Sequence, residues 1–488
     1  MNRFWYGLVV ASTLTTACAP APLVVQPVAA NDAPSTQAAA DPTPASAAEL
    51  AARASDQPVR PSGAWIGAAG ESDFVLAGTS DTALGVWVDV PTGLQKARAP
   101  ADVAVVIDTS GSMAGAKIEN ARIAAQRLVD KLADGDIVSL ITFANNAEER
   151  VSPTTLNAGS RQSIRNVIDG LVPQGGTNMF DGLRWAEGRV SNGPQTHPVR
   201  RIVMISDGQA NVGPSSPEVL GALAARGADA GVQVSAIGVG LDYDEHTLNA
   251  LAMQSSGRLY HLDEPRELAS ILEREIGLLQ TTAATAAAIE VMPAPGVQIL
   301  SADGVRYDAM ANGAVQIPLG TMFAGQHREM LIRVRVHATG EGTRPLASVR
   351  LRFRDPADGG LERVQETVAR YQVTSDRRLV EAHANEKTRT IVATQQAAQI
   401  TIEAAQQLND GRYAAADQQL AQAETKLKEA AAHAKSESDR QRVMATVQSI
   451  SKARAAAKAD AAAPPAARPA PRSRALDVNQ AGMRAYGY

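Results

Sequence analysis

Cysteine is nearly missing from this chain of 488 residues; the single one is Cys18. One cysteine excludes an intramolecular disulfide and a cysteine-built metal cluster. Aromatic residues are scarce at 4%, diluted by alanine-rich stretches, while the apolar share of 45% is ordinary for a globular protein. Charge of either sign is not in excess: 47 Lys and Arg stand against 51 Asp and Glu, a net charge of -4. Such a balance gives no global pull toward nucleic acid or an anionic membrane. No apolar run is long enough to span a bilayer. Catalytic signatures are also wanting. A G-x-S-x-G frame fails because glycine directly precedes Ser112, and neither H-E-x-x-H nor G-x-x-x-x-G-K-[ST] occurs. A phosphatase using Asp108 as nucleophile would want an aspartate two residues on, where Ser110 stands. The chain is therefore not expected to be an enzyme.

What is present starts with an export signal. Arg3 precedes a short apolar run, Phe4 to Leu14, which reads with its flanks as a signal peptide over 1–17. Cys18 follows "TTA" as in a bacterial lipoprotein cleavage site, with Cys18 as the lipidated first residue. The departure is Thr15, where that pattern has leucine. The alternative is an ordinary signal peptide with an incidental cysteine. Either way the expected location is the bacterial cell envelope. Residues 18–62 are rich in Ala, Pro, Thr and Asp without period, and predict a disordered tether.

Beyond the tether the pattern changes three times. "LGVWVDV" alternates as a strand. Over 99–280, strand-like runs ("VAVVID", "IVSLITF", "RIVMIS", "VQVSAIGVG") alternate with helical ones, such as "KIENARIAAQRLVDKL" with Ile118, Ile123, Leu128 and Leu132 spaced for one face. Apolar strands separated by helices predict a doubly wound α/β domain with a parallel sheet. Over 281–374 helical period disappears, and "LIRVRVHA" and "SVRLRFRD" put Val334, Val336, Val349, Leu351 and Phe353 inward and arginines outward. This predicts an antiparallel, β-sandwich-like domain with one wet face, to which 63–98 contributes, so that the α/β domain is an insertion in it. Residues 376–459 read as two or three packed helices, and 460–488, rich in Pro, Ala and Arg, as a disordered tail.

The chemistry concentrates in "VVIDTSGSMAG". Ligands bind at the carboxyl ends of parallel strands, where Asp108 falls. Ser110 and Ser112 follow at alternate positions, and such hard oxygen donors suit Mg2+, Mn2+ or Ca2+. A second strand-end aspartate, Asp207, lies in "RIVMISDGQANVG", and Thr177 lies in the Gly-Gly loop "PQGGTNMFDGL". Taken singly, each has a simpler reading. The Asp108–Ser112 group and Thr177 could cap helices, and Asp207 could be a turn residue.

Together these segments resemble the von Willebrand factor type A (VWA) domain and its metal-ion-dependent adhesion site (MIDAS), D-x-S-x-S followed by a threonine and an aspartate. The wider arrangement resembles bacterial proteins of the calcium-activated chloride channel homologue type and inter-alpha-trypsin inhibitor heavy chains. The resemblance implies a Rossmann-like domain over 99–280. It also implies a Mg2+ (or Mn2+ or Ca2+) held by Asp108, Ser110, Ser112, Thr177 and Asp207, with one coordination position open to a partner's Asp or Glu. The expected function is metal-dependent protein binding in adhesion or envelope assembly. The alternative is an envelope scaffold whose helical or β domain binds partners while the metal only stabilises the VWA loops. The acidic group Asp242, Asp244, Glu245 and His246 reads as a solvated loop and helix cap rather than a second metal site, and Arg468, Arg472, Arg474 and Arg484 as part of a solvated tail.

Overall fold

The computed structural model describes residues 63–92, 98–207, 209–241, 243–262, 265–462 and 471–487. The expected signal peptide, Cys18, the tether and Asp242 lie outside these residues. Three strands come first: β1 (Ile66–Gly70), β2 (Phe74–Leu76) and β3 (Gly78–Asp89). In β3, Leu84, Val86 and Val88 are fully buried in one core, while Ala83 and Trp87 point the other way into a second cluster. Period-two alternation sorts side chains onto two faces, and here both faces are covered.

The α/β domain follows: β4 (Ala101–Asp108), α1 (Ala116–Lys131), β5 (Ile137–Phe143), β6 (Ala147–Thr155), α2 (Ala158–Asp169), α3 (Met179–Ser191), β7 (Val199–Ser206), α4 (Pro217–Asp229), β8 (Val232–Val239), α5 (Glu245–Gln254), β9 (Arg258–Leu262) and α6 (Leu268–Gln280). The strand order is β6-β5-β4-β7-β8-β9. All neighbours are parallel except β5 and β6, which are antiparallel. Every residue of β4 is buried, because helices cover both faces of the sheet. Since β5 and β7 flank β4 on opposite sides, a crevice opens at the carboxyl end of β4. On α1 the expected apolar face is partly displaced: Ile123 is 47% exposed, and Ala121, Ala124 and Ala125 face inward instead. Small side chains let this helix lie close to its neighbours.

The β domain resumes with β10 (Thr282–Pro293), β11 (Val297–Asp303), β12 (Asp308–Ala309), β13 (Val315–Phe323), β14 (His327–Ala338), β15 (Gly342–Asp355) and β16 (Leu361–Thr374). Two sheets, β1-β3-β14-β11 and β12-β13-β10-β15-β16-β2, share one core and form a sandwich. Leu84 lies opposite Ile332 and Val86 opposite Met330, so β3 and β14 are adjacent although the whole α/β domain intervenes in sequence. Pairing is antiparallel throughout except between β2 and β16, which run parallel. Both roots of the insertion grip one turn: Gly325 N donates to Val90 O at 3.1 Å, and Ala324 N donates to Thr281 O at 2.8 Å. The sandwich meets the amino-terminal edge of the α/β sheet, where Gln233 Nε2 donates to Leu319 O at 3.3 Å and Ser256 Oγ to Pro318 O at 2.7 Å. The outward arginines pair across strands, Arg335 with Asp81 at 2.6 Å and Arg350 with Glu366 at 3.0 Å.

The last elements are α7 (Arg377–Ala382), α8 (Glu386–Asn409), α9 (Tyr413–His433), α10 (Glu437–Ala462) and α11 (Pro471–Tyr486). Helix α8 lies on the sandwich, with Ile391 against Ala83, Trp87 and Leu331. The four-stranded sheet therefore lacks the wholly wet outer face expected of it. The expected disordered tail over 460–488 also needs correction. Residues up to Ala462 continue α10, and α11 is a packed helix. Its Ala475 and Val478 join the core of the helical region, while Leu476 and Met483 join the core of the α/β domain. A Cβ at Gly482 would come within 2.6 Å of Ile402, so glycine there sets how closely α11 crosses α8.

Candidate metal centre

The site lies in the crevice at the carboxyl ends of β4 and β7. Ile107 and Ile205 are register partners, so the strand-end residues Asp108 and Asp207 emerge side by side. Both aspartates are fully buried, and Ser110 is 2% exposed. Asp108 Oδ1 accepts from the Ser110 amide at 2.8 Å, and its Oδ2 accepts from Ser206 Oγ at 2.6 Å. Burial pushes the Asp108 carboxyl up to about 6; the bonds from Ser206 and Ser110 oppose this, and the Asp207 charge adds to it. From there an oxygen chain runs outward. The Ser110 and Ser112 hydroxyls are 3.0 Å apart, and Ser112 Oγ donates to Asp207 Oδ1 at 2.8 Å. On its other oxygen, Asp207 forms an ion pair with the Lys117 ammonium from the first turns of α1.

The third segment arrives through backbone bonds. Gly111 N donates to Gly175 O at 3.1 Å and Gln174 N to Thr109 O at 2.7 Å, which joins the loop before α3 to the loop after β4. Gly175 has φ +72, a conformation that favours glycine, and the chain turns there. Thr177, 3% exposed, is tied to the loop after β7: its amide donates to Asn211 Oδ1 at 2.8 Å, and its carbonyl accepts from the Asn211 amide at 3.0 Å. Four of the five expected residues are thus linked side by side. Thr177 reaches the same crevice, but no hydrogen bond among the described residues joins its hydroxyl to the others.

The simpler capping readings do not describe these residues. The residue preceding α1 is Gly115, with no side-chain cap, and Ser110 makes no side-chain cap on the short turn after it. Helix α3 is capped by Asn178, whose Oδ1 accepts from the Asp181 amide at 3.2 Å; Thr177 is not the cap. Reading the sequence missed Lys117, Ser206 and Asn211. Ser206 directly precedes Asp207, and Asn211 lies in the quoted "SDGQANVG", so proximity in sequence was the available signal for both. Lys117 carried none.

Two other groups behave differently from expectation. Asp244 does cap α5, accepting from the His246 amide at 3.0 Å, but Glu245 is buried and clasped by Arg472, whose Nη1 donates to Glu245 Oε1 at 2.7 Å. Neither a metal site nor a solvated loop describes Glu245. His327, Glu329 and Asp439 come together between β14 and the helices, but the Lys387 ammonium sits among them, 2.6 Å from Glu329 and 2.5 Å from Asp439. No helix among the described residues is long and apolar enough to cross a membrane.

Comparison with known proteins agrees with this architecture. Residues 102–274 match the profile of the von Willebrand factor type A domain. An uncharacterised protein of Synechocystis is 25% identical over 58% of this chain and 68% of its own length. Inter-alpha-trypsin inhibitor heavy chain H3 of Mesocricetus auratus is 28% identical over 32% of this chain, but that match spans only 18% of the heavy chain. Among solved structures, a von Willebrand factor type A protein from Catenulispora acidiphila superposes with a TM-score of 0.67, covering 86% of this chain and 96% of that one at 17% identity. That likeness extends the shared fold over the sandwich and helices as well.

Proposed function

We propose, from the premise that residues 102–274 are a von Willebrand factor type A domain, that the protein binds a partner protein through a divalent cation. Asp108, Ser110, Ser112, Thr177 and Asp207 would hold the ion. Domains of this family commonly bind metal and mediate protein–protein interaction. One observation carries the reading: the chain Ser110–Ser112–Asp207 caps no helix and ends on an ammonium. It is a set of hard oxygen donors whose buried charge is met by a cation, and that fits Mg2+, Mn2+ or Ca2+.

When bound, the ion supplies an open coordination position that a partner's Asp or Glu carboxylate fills. The chain's own residues prepare that position. Ser206 and the Ser110 amide fix the Asp108 carboxyl, Asn211 fixes the Thr177 loop, and Lys117 holds Asp207 until the ion displaces it. The reading is of binding, not catalysis. Export and a lipid anchor at Cys18, both read from sequence, would put this site in the bacterial envelope.

A second reading, the scaffold whose metal only stabilises loops, is favoured by Lys117, which already balances Asp207 without an ion. Calorimetry with Mg2+ and Mn2+ on wild type and Asp108→Ala tests the first step. The variant is expected to lose metal binding while keeping its fold; unaltered metal binding would remove the mechanism. A pulldown from envelope extract with and without EDTA then separates the readings. Release of the partner by EDTA supports the adhesion site, and retention with a lowered melting temperature supports the scaffold.

A further inference from the structure

At the β9 edge of the α/β sheet, a cleft of about 640 Å3 opens between β9, α6 and α11. Arg258 at the start of β9, Arg274 in α6 and Arg484 in the last turn of α11 all line it, together with Tyr260 and Thr281. Arg258 is half-buried, and Arg274 and Arg484 stand exposed at the rim. Among the described residues none of the three forms an ion pair with a carboxylate. Arg258 lies 5.7 Å from the Phe323 ring centre and Arg274 6.0 Å from that of Tyr260. A fourth guanidinium, Arg201, lies fully buried 5.5 Å from the same Phe323 ring centre, with Nε and Nη2 unpartnered.

Two carboxylates lie near this cluster, and both are engaged. Glu275 accepts from Tyr260 Oη and Ser235 Oγ, each at 2.5 Å, and faces Arg201 at 3.7 Å. Asp477 is held by Arg474 at 2.9 Å. Glu275 thus answers the buried Arg201, while among the described residues Arg258, Arg274 and Arg484 share the cleft without an ion pair of their own. The partial enclosure of its guanidinium, and after it the Arg274 charge, hold Arg484 below its ordinary value against the pull of Tyr260 and Asp477; burial and the Arg258 charge do the same to Arg201 against the pull of Glu275. Gathering like charges around a half-enclosed space is unfavourable unless something of opposite sign enters it.

We propose that this cleft binds a small oxyanion of two or more negative charges, gripped by Arg258, Arg274 and Arg484. Phosphate and carboxylate groups share the charge and the planar or tripodal acceptors that guanidinium forks match. Because the three arginines come from three elements, the anion ties α11 to α6 and so fastens the C-terminal helix to the VWA domain. The site is independent of the metal reading, since it shares no residue with it.

The test is thermal unfolding and calorimetry of the full chain with pyrophosphate and with citrate, at ionic strength held constant with sodium chloride. Pyrophosphate is expected to raise the melting temperature by roughly 2–4 °C, and Arg274→Ala/Arg484→Ala to lose at least about tenfold in affinity. Without anion, the double variant should melt no lower than wild type, because a repulsion has been removed. Citrate acting as well as pyrophosphate assigns the site to oxyanions generally; pyrophosphate acting alone assigns it to phosphates. Arg484→Ala by itself, at an exposed position, serves if the double variant is poorly folded. A response no larger than that to sodium chloride, or an affinity unchanged in the variants, overturns the proposal.

Discussion

Lys117 is the residue on which the proposed metal centre turns. Its ammonium and an incoming cation would compete for the Asp207 carboxylate. Lys117→Gln should therefore bind Mn2+ more tightly than wild type, by about tenfold if the competition is worth ~1.4 kcal/mol. Calorimetry reads this directly, and equal dissociation constants would show that the lysine does not compete. That Asp108, Ser110 and Ser112 come together was legible in the sequence, because three residues within five positions form their own pattern. The place of Asp207 beside them, and of the Thr177 loop against the loop after β7, was legible once that pattern supplied an order for the segments. Lys117 was not, because its meaning depends on β7 lying beside β4, which brings together residues 90 positions apart. Glu245 was misread for the same reason: its partner Arg472 is 227 residues away.

At the scale of the element, α11 was the segment hidden from sequence reading. Its buried residues divide between two bodies, Ala475 and Val478 toward the helical region and Leu476 and Met483 toward the α/β domain. Neither set makes a broad apolar stripe, and the Pro-Ala-Arg composition before it resembles a tail. The strands of the sheet, by contrast, were plain, since burial on both faces demands unbroken Val and Ile runs. Arg472 fixes one end of α11, bonding Glu245 Oε1 at 2.7 Å and Tyr243 O at 2.5 Å. Arg472→Ala should cost about 3 kcal/mol, because it leaves Glu245 buried without its cation. Urea unfolding measures this, and Glu245→Gln added to the variant should recover part of the loss. Gly482→Ala should cost ~1–3 kcal/mol through overpacking against Ile402; a neutral result would mean that α11 shifts freely.

For the whole molecule, a charged network joins the sandwich to the helices. His327 bonds Asp89 and, at 2.8 Å, Glu329, while Lys387 spans Glu329 and Asp439. Burial alone would lower the His327 pKa, but the bonds to Asp89 and Glu329 outweigh it and raise it above 6.5. Burial would raise Glu329, yet His327 and Lys387 bring it from 4.5 down to about 2. A raised histidine stabilises fully below 6.5 and loses that contribution as pH climbs through its folded value. A lowered glutamate stabilises fully above 4.5 and loses it as pH falls toward 2. The network is strongest between about pH 4.5 and 6.5. His327→Gln should flatten the alkaline side of the urea-midpoint profile, and identical profiles would count against the network. The sandwich was foreseen from its alternating strands, whereas its dry patch under α8 was not, because nothing in β3 says which outer residues a later helix will cover. The grip of both roots of the insertion on the turn at 324–326 bears on how the molecule carries tension. A force applied at the loops around Asp108 would load two attachments side by side instead of one linker in series. The bonds at Val90 and at Thr281 would each take a share of the load, because both close on the same turn.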